Sequence, residues 1–271
     1  TWRWGADAIN AHISSYDVLD QLVDFIAEKM STTTSSRQEK RIAVIGHSAG
    51  GQLVHRWGLL SGTSAWDQYP NLSIVVVAAN PRSFCYLDGR RMMPQTVANN
   101  SDVSWRYTTP DSKSIEGCAH YNQWSWGLDD GGQLDCPYKD RSLNATKGNA
   151  RLIAERYASR NVFYLSGSED LLNLKDRCEM MVFQGSYRHE RALRYYRALV
   201  HYYKSDNGHN FIHQLHTIDG SPHDHTLMFQ SPPSMNAIFG CSDGKGLNRH
   251  DIDEQLGNIQ KDAQAETAAT A

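Results

Sequence analysis

Between Arg41 and Leu60 the chain changes its hydrophobic period across a single glycine-rich corner. Arg41-Ile42-Ala43-Val44-Ile45 is a short β-branched run of the kind that forms a buried strand. From Gln52 to Leu60 the apolar residues Leu53, Val54, Trp57 and Leu60 fall at helical spacing. Only Gly46-His47-Ser48-Ala49-Gly50-Gly51 separates the two, so the segment reads as a strand feeding directly into a helix. The next apolar run, Leu72 to Ala79, is bounded by Asn71 and by Asn80-Pro81. Its near-continuous apolarity fits a strand covered on both faces, as in a parallel sheet.

The same alternation continues along the chain. A helical stripe at Val18, Leu19, Leu22, Val23, Phe25, Ile26 and Met30 follows a Ser14–Asp17 cap, and a polar Ser31–Gln38 loop leads to the first strand. Asn149 to Ser159 reads as a helix and Asn161 to Leu165 as a strand. Arg177 to Tyr203 holds two helical pieces broken at Gly185, Phe211 to Ile218 is a further strand, and Pro232 to Phe239 is a short helix. Strands alternating with helices predict an α/β fold with a mostly parallel sheet. One domain spans residues 1–241, interrupted by an insertion over 83–139, and the polar stretch 242–271 is expected to be a disordered tail.

Composition excludes several roles. With 27 basic against 30 acidic residues the net charge is −3, which gives no footprint for nucleic acid or an anionic membrane surface. The longest strictly apolar run, Ile74 to Ala79, falls far short of the roughly 20 residues that span a bilayer. A soluble globular protein is expected, with no membrane or nucleic-acid partner.

Gly46-His47-Ser48-Ala49-Gly50 matches G-x-S-x-G, a pattern met by chance in about one chain in ten of this length. The chain carries a second match, Gly240-Cys241-Ser242-Asp243-Gly244, but polar residues follow it and no helix can begin there. The first match has the required context of strand before and helix after. That corner holds the serine in a strained backbone geometry, with Gly46 and Gly50 expected to remove clashing Cβ atoms. The hydroxyl then stands at a helix N-terminus, where the Ala49 amide and the helix dipole favour a developing oxyanion.

A nucleophilic serine needs a base, and the base needs an orienting acid; on this scaffold the chain order is Ser, acid, His. After the Asn161–Leu165 strand comes Ser166-Gly167-Ser168-Glu169-Asp170. Asp170 is the expected acid and Glu169 its neighbouring alternative. After the Phe211–Ile218 strand, Asp219-Gly220-Ser221-Pro222-His223-Asp224-His225 offers two imidazoles. His223 is favoured as the base, with His225 as the alternative. His209, His213, His216, His223 and His225 fall within seventeen residues, which raises zinc ligation as a rival reading. There is no H-E-x-x-H, and residues on an alternating strand do not all converge, so no metal and no other cofactor is expected.

With Ser48, Asp170 and His223 placed, the sequence resembles the α/β-hydrolase superfamily. Gly46 to Gln52, Asn80-Pro81 and His223-Asp224-His225-Thr226-Leu227-Met228-Phe229 are similar to secreted or hypothetical fungal-type members. The resemblance runs over roughly residues 14 to 240 and implies a serine hydrolase working by acyl transfer on an ester-like carbonyl. In that superfamily several strands precede the elbow strand, and a Gly-rich loop supplies a second oxyanion amide. Here 40 residues precede it, holding one helix and no Gly-rich loop. The resemblance therefore implies an N-terminally incomplete hydrolase.

Phe84, Tyr86, Trp105, Tyr107, Tyr121, Trp124, Trp126 and Tyr138 give the insertion an aromatic character. It leaves a strand end near the nucleophile, so it is read as a lid, with Trp124 and Trp126 lining a pocket for a small ester or, alternatively, forming the lid's own core. A broad Leu/Ile-rich surface suited to long-chain lipids is absent. A carboxylesterase is thus expected, the alternative being a catalytically weak or silent binding protein on the same scaffold. Sequons at Asn71, Asn99 and Asn144 point to glycosylation and secretion. In that setting Cys118 and Cys136, which bracket the Trp-rich loop, are the first disulfide pair to expect.

Overall fold

The computed structural model describes residues 2–32, 40–69, 71–96, 103–130, 134–172, 177–207, 211–240, 246–248 and 250–259. A small antiparallel pair, β1 (Asp7–Ala8) and β2 (Ala11–Ser14), leads into α1 (Ser15–Thr32). β3 (Lys40–His47) passes through the glycine corner into α2 (Ala49–Leu60), and α3 (Ala65–Gln68) returns the chain to β4 (Leu72–Ala79). The insertion contains a hairpin of β5 (Arg91–Thr96) and β6 (Val103–Thr108), then α4 (Ser112–Glu116), and closes into α5 (Pro137–Ala145). Then come α6 (Ala150–Ala158), β7 (Asn161–Gly167), α7 (Cys178–Met181) and α8 (Arg188–Val200), which continues as a π-helical turn over His201–Asn207. β8 (Gln214–Ile218), α9 (His225–Gln230) and α10 (Pro232–Phe239) follow.

The main sheet of the described residues has the order β3-β4-β7-β8, all parallel. Side-chain alternation on β4 explains its unbroken apolarity. Ile74, Val76 and Ala78 enter a large core with Val54, Trp57 and Leu60 of α2, Ile153 and Tyr157 of α6, and Leu193 and Tyr195 of α8. Val75, Val77 and Ala79 face the other way, into a smaller core with Met228 of α9 and Ala237 of α10. With helices on both faces no position of β4 beyond its first two residues is spared, and each fully buried aliphatic side chain contributes about 1.5–3 kcal/mol. α1 is less fully covered than its stripe predicts. Val23 is buried and Leu19, Ile26 and Met30 pack on the core, but Val18, Leu22 and Phe25 remain about half exposed.

Two expectations are corrected. Cys118 bonds to Cys178, not Cys136: α7 brings Cys178 to a Cα–Cα distance of 5.8 Å, while Cys136 stays a buried free thiol, as does Cys85. Cys241 lies outside the described residues. The stretch expected to be a disordered tail contains a helix over 250–259, whose Ile252 and Leu256 are wholly buried in the large core. With Ile259, which also packs on that core, they fall at i, i+4 and i+7, a helical stripe of only three residues in a polar background. α9 is not anticipated in the sequence; the Asp224 carboxylate caps it by accepting from the Leu227 amide.

Trp124 and Trp126 are both buried, in line with the alternative that gives these aromatics a core role. Trp124 is buried in the main core with its indole N–H donated to the Trp4 carbonyl, and Trp126 packs under the Arg177 guanidinium. The polar end of the Trp124 ring finds its partner in the N-terminal turn, which draws the ring inward. Cavities of about 500 and 380 Å³ do flank the insertion. The first is lined by residues such as Leu128, Asp130 and Asp140, the second by residues such as Glu116, His120 and Arg177, and neither has an aromatic wall beyond that imidazole.

Candidate active site

The four parallel strands release their chains at one rim, where side chains from successive connections meet, as expected at the carboxyl ends of an α/β sheet. The corner after β3 is built on contacts that only glycine permits. A Cβ on Gly46 would lie 2.3 Å from the Gly50 carbonyl oxygen, and one on Gly51 would lie 2.6 Å from that of Ala79. A Cβ on Gly50 would meet nothing within 4 Å. The steric requirement expected at Gly50 therefore belongs to Gly51, which packs against the neighbouring strand. Ser48 takes the conformation φ 56°, ψ −111°, in the region L-residues avoid. Its amide donates to the Ala79 carbonyl at 2.9 Å, and its carbonyl accepts the Gln52 amide of α2 at 3.0 Å. Strand and helix thus clamp the strained residue from both sides. Ala49 opens α2, and the first amides of a helix have no partner within it.

Asp170 and His223 come to this corner from β7 and β8. The His223 ring stands with Nε2 2.9 Å from Ser48 Oγ and Nδ1 2.7 Å from Asp170 Oδ2. Glu169 is exposed and its backbone ties to Ser221 instead, so of the two adjacent carboxylates Asp170 reaches the imidazole. His225 is exposed at the start of α9 and lies 6.1 Å, centroid to centroid, from the ring of His47. Ser48 is half-buried while Asp170 is 1% exposed. Burial pushes the Asp170 carboxyl up, but the His223 hydrogen bond and the Arg188 charge outweigh it and hold the group below its ordinary value. It is an anion at neutral pH and can accept the His223 Nδ1–H, leaving Nε2 to accept from the serine hydroxyl.

The histidines that suggest a zinc site are dispersed. His213 lies in the core between the Tyr164 hydroxyl and the Tyr157 carbonyl, His216 bonds to Gln214 on β8, and His209 lies outside the described residues. Among the described residues no three His, Cys, Asp or Glu side chains are grouped to hold a metal ion. The second G-x-S-x-G match begins at Gly240, which ends α10 in a left-handed conformation; residues 241–245 lie outside the described residues.

Two residues of the site escape the sequence reading. His47 lies against His223 with ring centroids 4.5 Å apart. Burial, and then the neighbouring His223 and His225, lower its pKa to about 4, so a neutral imidazole flanks the His223 ring at neutral pH. Its position inside the motif was visible, its orientation was not. Arg188, eighteen residues beyond Asp170, donates from Nη1 to Asp170 Oδ1 at 3.0 Å.

No known sequence family matches the chain, and no curated protein matches it. Solved structures do. Poly(3-hydroxybutyrate) depolymerase LpqC from Bordetella parapertussis superposes with a TM-score of 0.51 at 20% identity, over 94% of this chain and 67% of that one. Poly(aspartic acid) hydrolase-1 from Sphingomonas sp. KT-1 is similar at a TM-score of 0.47 and 21% identity, over 85% of this chain and 68% of that one. The Bordetella likeness, with the parallel sheet and its two helical layers, identifies the fold as the α/β-hydrolase type. No helix of the described residues is long and apolar enough to cross a membrane.

Proposed function

We propose that this chain is a serine hydrolase that cleaves an ester-type bond through an acyl-enzyme on Ser48, most simply a carboxylesterase. The observation that carries the reading is the unbroken Ser48–His223–Asp170 hydrogen-bond chain, at 2.9 and 2.7 Å, on a strained strand-to-helix corner. In the proposed reaction Ser48 Oγ attacks the substrate carbonyl as His223 Nε2 takes its proton. Asp170 holds the ring in the tautomer that presents a bare Nε2, and its charge stabilises the imidazolium. The Ala49 amide and the N-terminus of α2 receive the oxyanion. Collapse expels the alcohol, protonated by His223, and water removes the acyl group by the same steps in reverse. A polyester is the substrate named for the Bordetella protein, which fits ester chemistry on this fold.

The narrower likeness to secreted fungal-type hydrolases rests on the elbow and the His223–Phe229 segment. Secretion is proposed on the Cys118–Cys178 disulfide and on the exposed sequon residues Asn71 and Asn144; Asn99 lies outside the described residues.

A fluorophosphonate probe tests the reading directly. The chain should label at a single serine, and Ser48→Ala or His223→Ala should abolish labelling, with ester turnover falling by about 10⁴-fold or more. Labelling that survives Ser48→Ala would remove Ser48 as the nucleophile, and a folded chain that never labels would replace the enzyme with a binding protein.

A further inference from the structure

We propose that Arg188 is a positioning residue of this site, fixing the Asp170 carboxylate through one oxygen while His223 uses the other, and so limiting the negative charge that Asp170 lends to the imidazole. The inference rests on the Ser48–His223–Asp170 reading above and assigns to α8 a part in it.

Arg188 stands where helix energetics disfavour it. It is the first residue of α8, behind Tyr187, which makes no side-chain cap. A helix N-terminus is partially positive and prefers Asp or Glu. The side chain is also about nine-tenths buried, and the carboxylate it meets is completely buried. A buried cation at the wrong end of a helix is a local violation that points to a site constraint, and the pairing with Asp170 supplies one.

The backbone that carries Arg188 is also held firmly in place. The segment entering α8 is tied to the insertion at Cys178 by the disulfide to Cys118. Gln184 exchanges two hydrogen bonds with the Phe84 backbone, at 2.8 and 2.9 Å. Arg191 donates to the Gly185 carbonyl at 2.7 Å, and the Ser186 amide donates to Glu190 at 2.6 Å. Five residues beyond Met180 the chain turns at Gly185 (φ 130°), where any Cβ would strike Glu190. Arg188 therefore meets Asp170 from a preorganised frame, and the carboxylate cannot rotate away from His223 without losing it.

The consequence is electrostatic. His47 from β3 packs on the His223 ring with His225 and Asp224 beyond it, and His189 from α8 faces Asp170 with Asp219 and Glu190 beyond it. Arg188 is the cation bonded to the carboxylate, and its charge reaches as far as His47. With that charge removed, Asp170 faces His223 alone and favours the imidazolium more strongly. A general base must be neutral to act, so the acidic limb of kcat/KM moves to higher pH.

The test is a titration of the His223 imidazole by NMR, its resonance identified by its loss in His223→Gln, alongside the pH profile of ester hydrolysis. Arg188→Gln should raise both the midpoint and the acidic limb by about one pH unit, and Arg188→Lys should restore them to within about a third of that. In an Asp170→Asn background Arg188→Gln should produce a clearly smaller shift, because only the through-space action of the Arg188 charge remains once the carboxylate is neutral. If Arg188→Gln alone does not fold, the double variant removes both buried charges together and is compared with Asp170→Asn. A wild-type midpoint in folded Arg188→Gln, or an undiminished shift without Asp170, overturns the proposal. The NMR midpoint needs no turnover: a shifted midpoint without Ser48 labelling refutes the hydrolase reading alone, whereas labelling with an unmoved midpoint refutes the role of Arg188.

Discussion

The parallel sheet and the insertion between β4 and α5 are held together by opposite chemistry. On the sheet, Val75, Val76, Val77, Ala78 and Ala79 are each at most 1% exposed and need no partner beyond apolar neighbours on two faces. The insertion is organised around a buried cation. Arg91 donates to the carbonyls of Asp88, Arg90, Tyr121 and Trp126 and to the Asn122 side chain, and its guanidinium lies 3.9 Å from the Tyr86 ring centroid. The Cys118–Cys178 bridge then staples this region to α7. Apolar burial is non-directional and survives small shifts; a polar network survives only while every acceptor keeps its donor.

Deleting the cation should have the largest effect. Arg91→Met leaves several carbonyls buried without donors and should cost about 3–5 kcal/mol in chemical denaturation. Leu165→Ala, a pure cavity in the sheet, should cost about 2–5 kcal/mol while leaving the insertion's near-UV circular dichroism intact. Similar spectral change from both variants would break the contrast. Next in size is the staple. Cys118→Ser opens a loop with a sequence separation of 60 and should cost about 2–4 kcal/mol. Protease sensitivity should then rise in the insertion before it rises in the sheet, and the reverse order would be evidence against two regimes.

Acid should discriminate in the other direction, with the smallest increments. His213 in the sheet's core and His189 on α8 have pKa values lowered by burial to about 3 and about 4. Their unfolded-state value is about 6.5, so between that pH and the folded value the unfolded chain binds more protons. Stability is full above pH 6.5 or so and declines as the pH falls, by about 1 kcal/mol per pH unit for each such histidine. Denaturation midpoints that stay flat from pH 7 to 4.5 would remove these histidines from the account.

How much was legible follows the same division. The strand at Leu72–Ala79, the break at Gly185 and the helix at Pro232–Phe239 announce themselves through apolar periodicity and glycine, which act locally. So did the three residues now joined at the sheet's rim, because a parallel strand delivers the residue after it to a known edge. The insertion misled where partners are distant. Cys118 found Cys178 rather than the nearer Cys136. Trp124 turned inward to the Trp4 carbonyl rather than outward to a pocket. Outside the insertion, Ile252 and Leu256 of a largely polar stretch were drawn into the large core.

The alternation of strand and helix, the glycine corner at Ser48 and the chain order of serine, acid and histidine can be read along the chain. These depend on backbone sterics and on side-chain period, both readable from neighbours in the chain. Only the packed fold reveals that Gly51, not Gly50, must be small, that His47 flanks the His223 ring, and that Arg188 bonds Asp170. Those outcomes depend on which backbone oxygen or carboxylate arrives from another strand or helix, and no local pattern encodes that arrival.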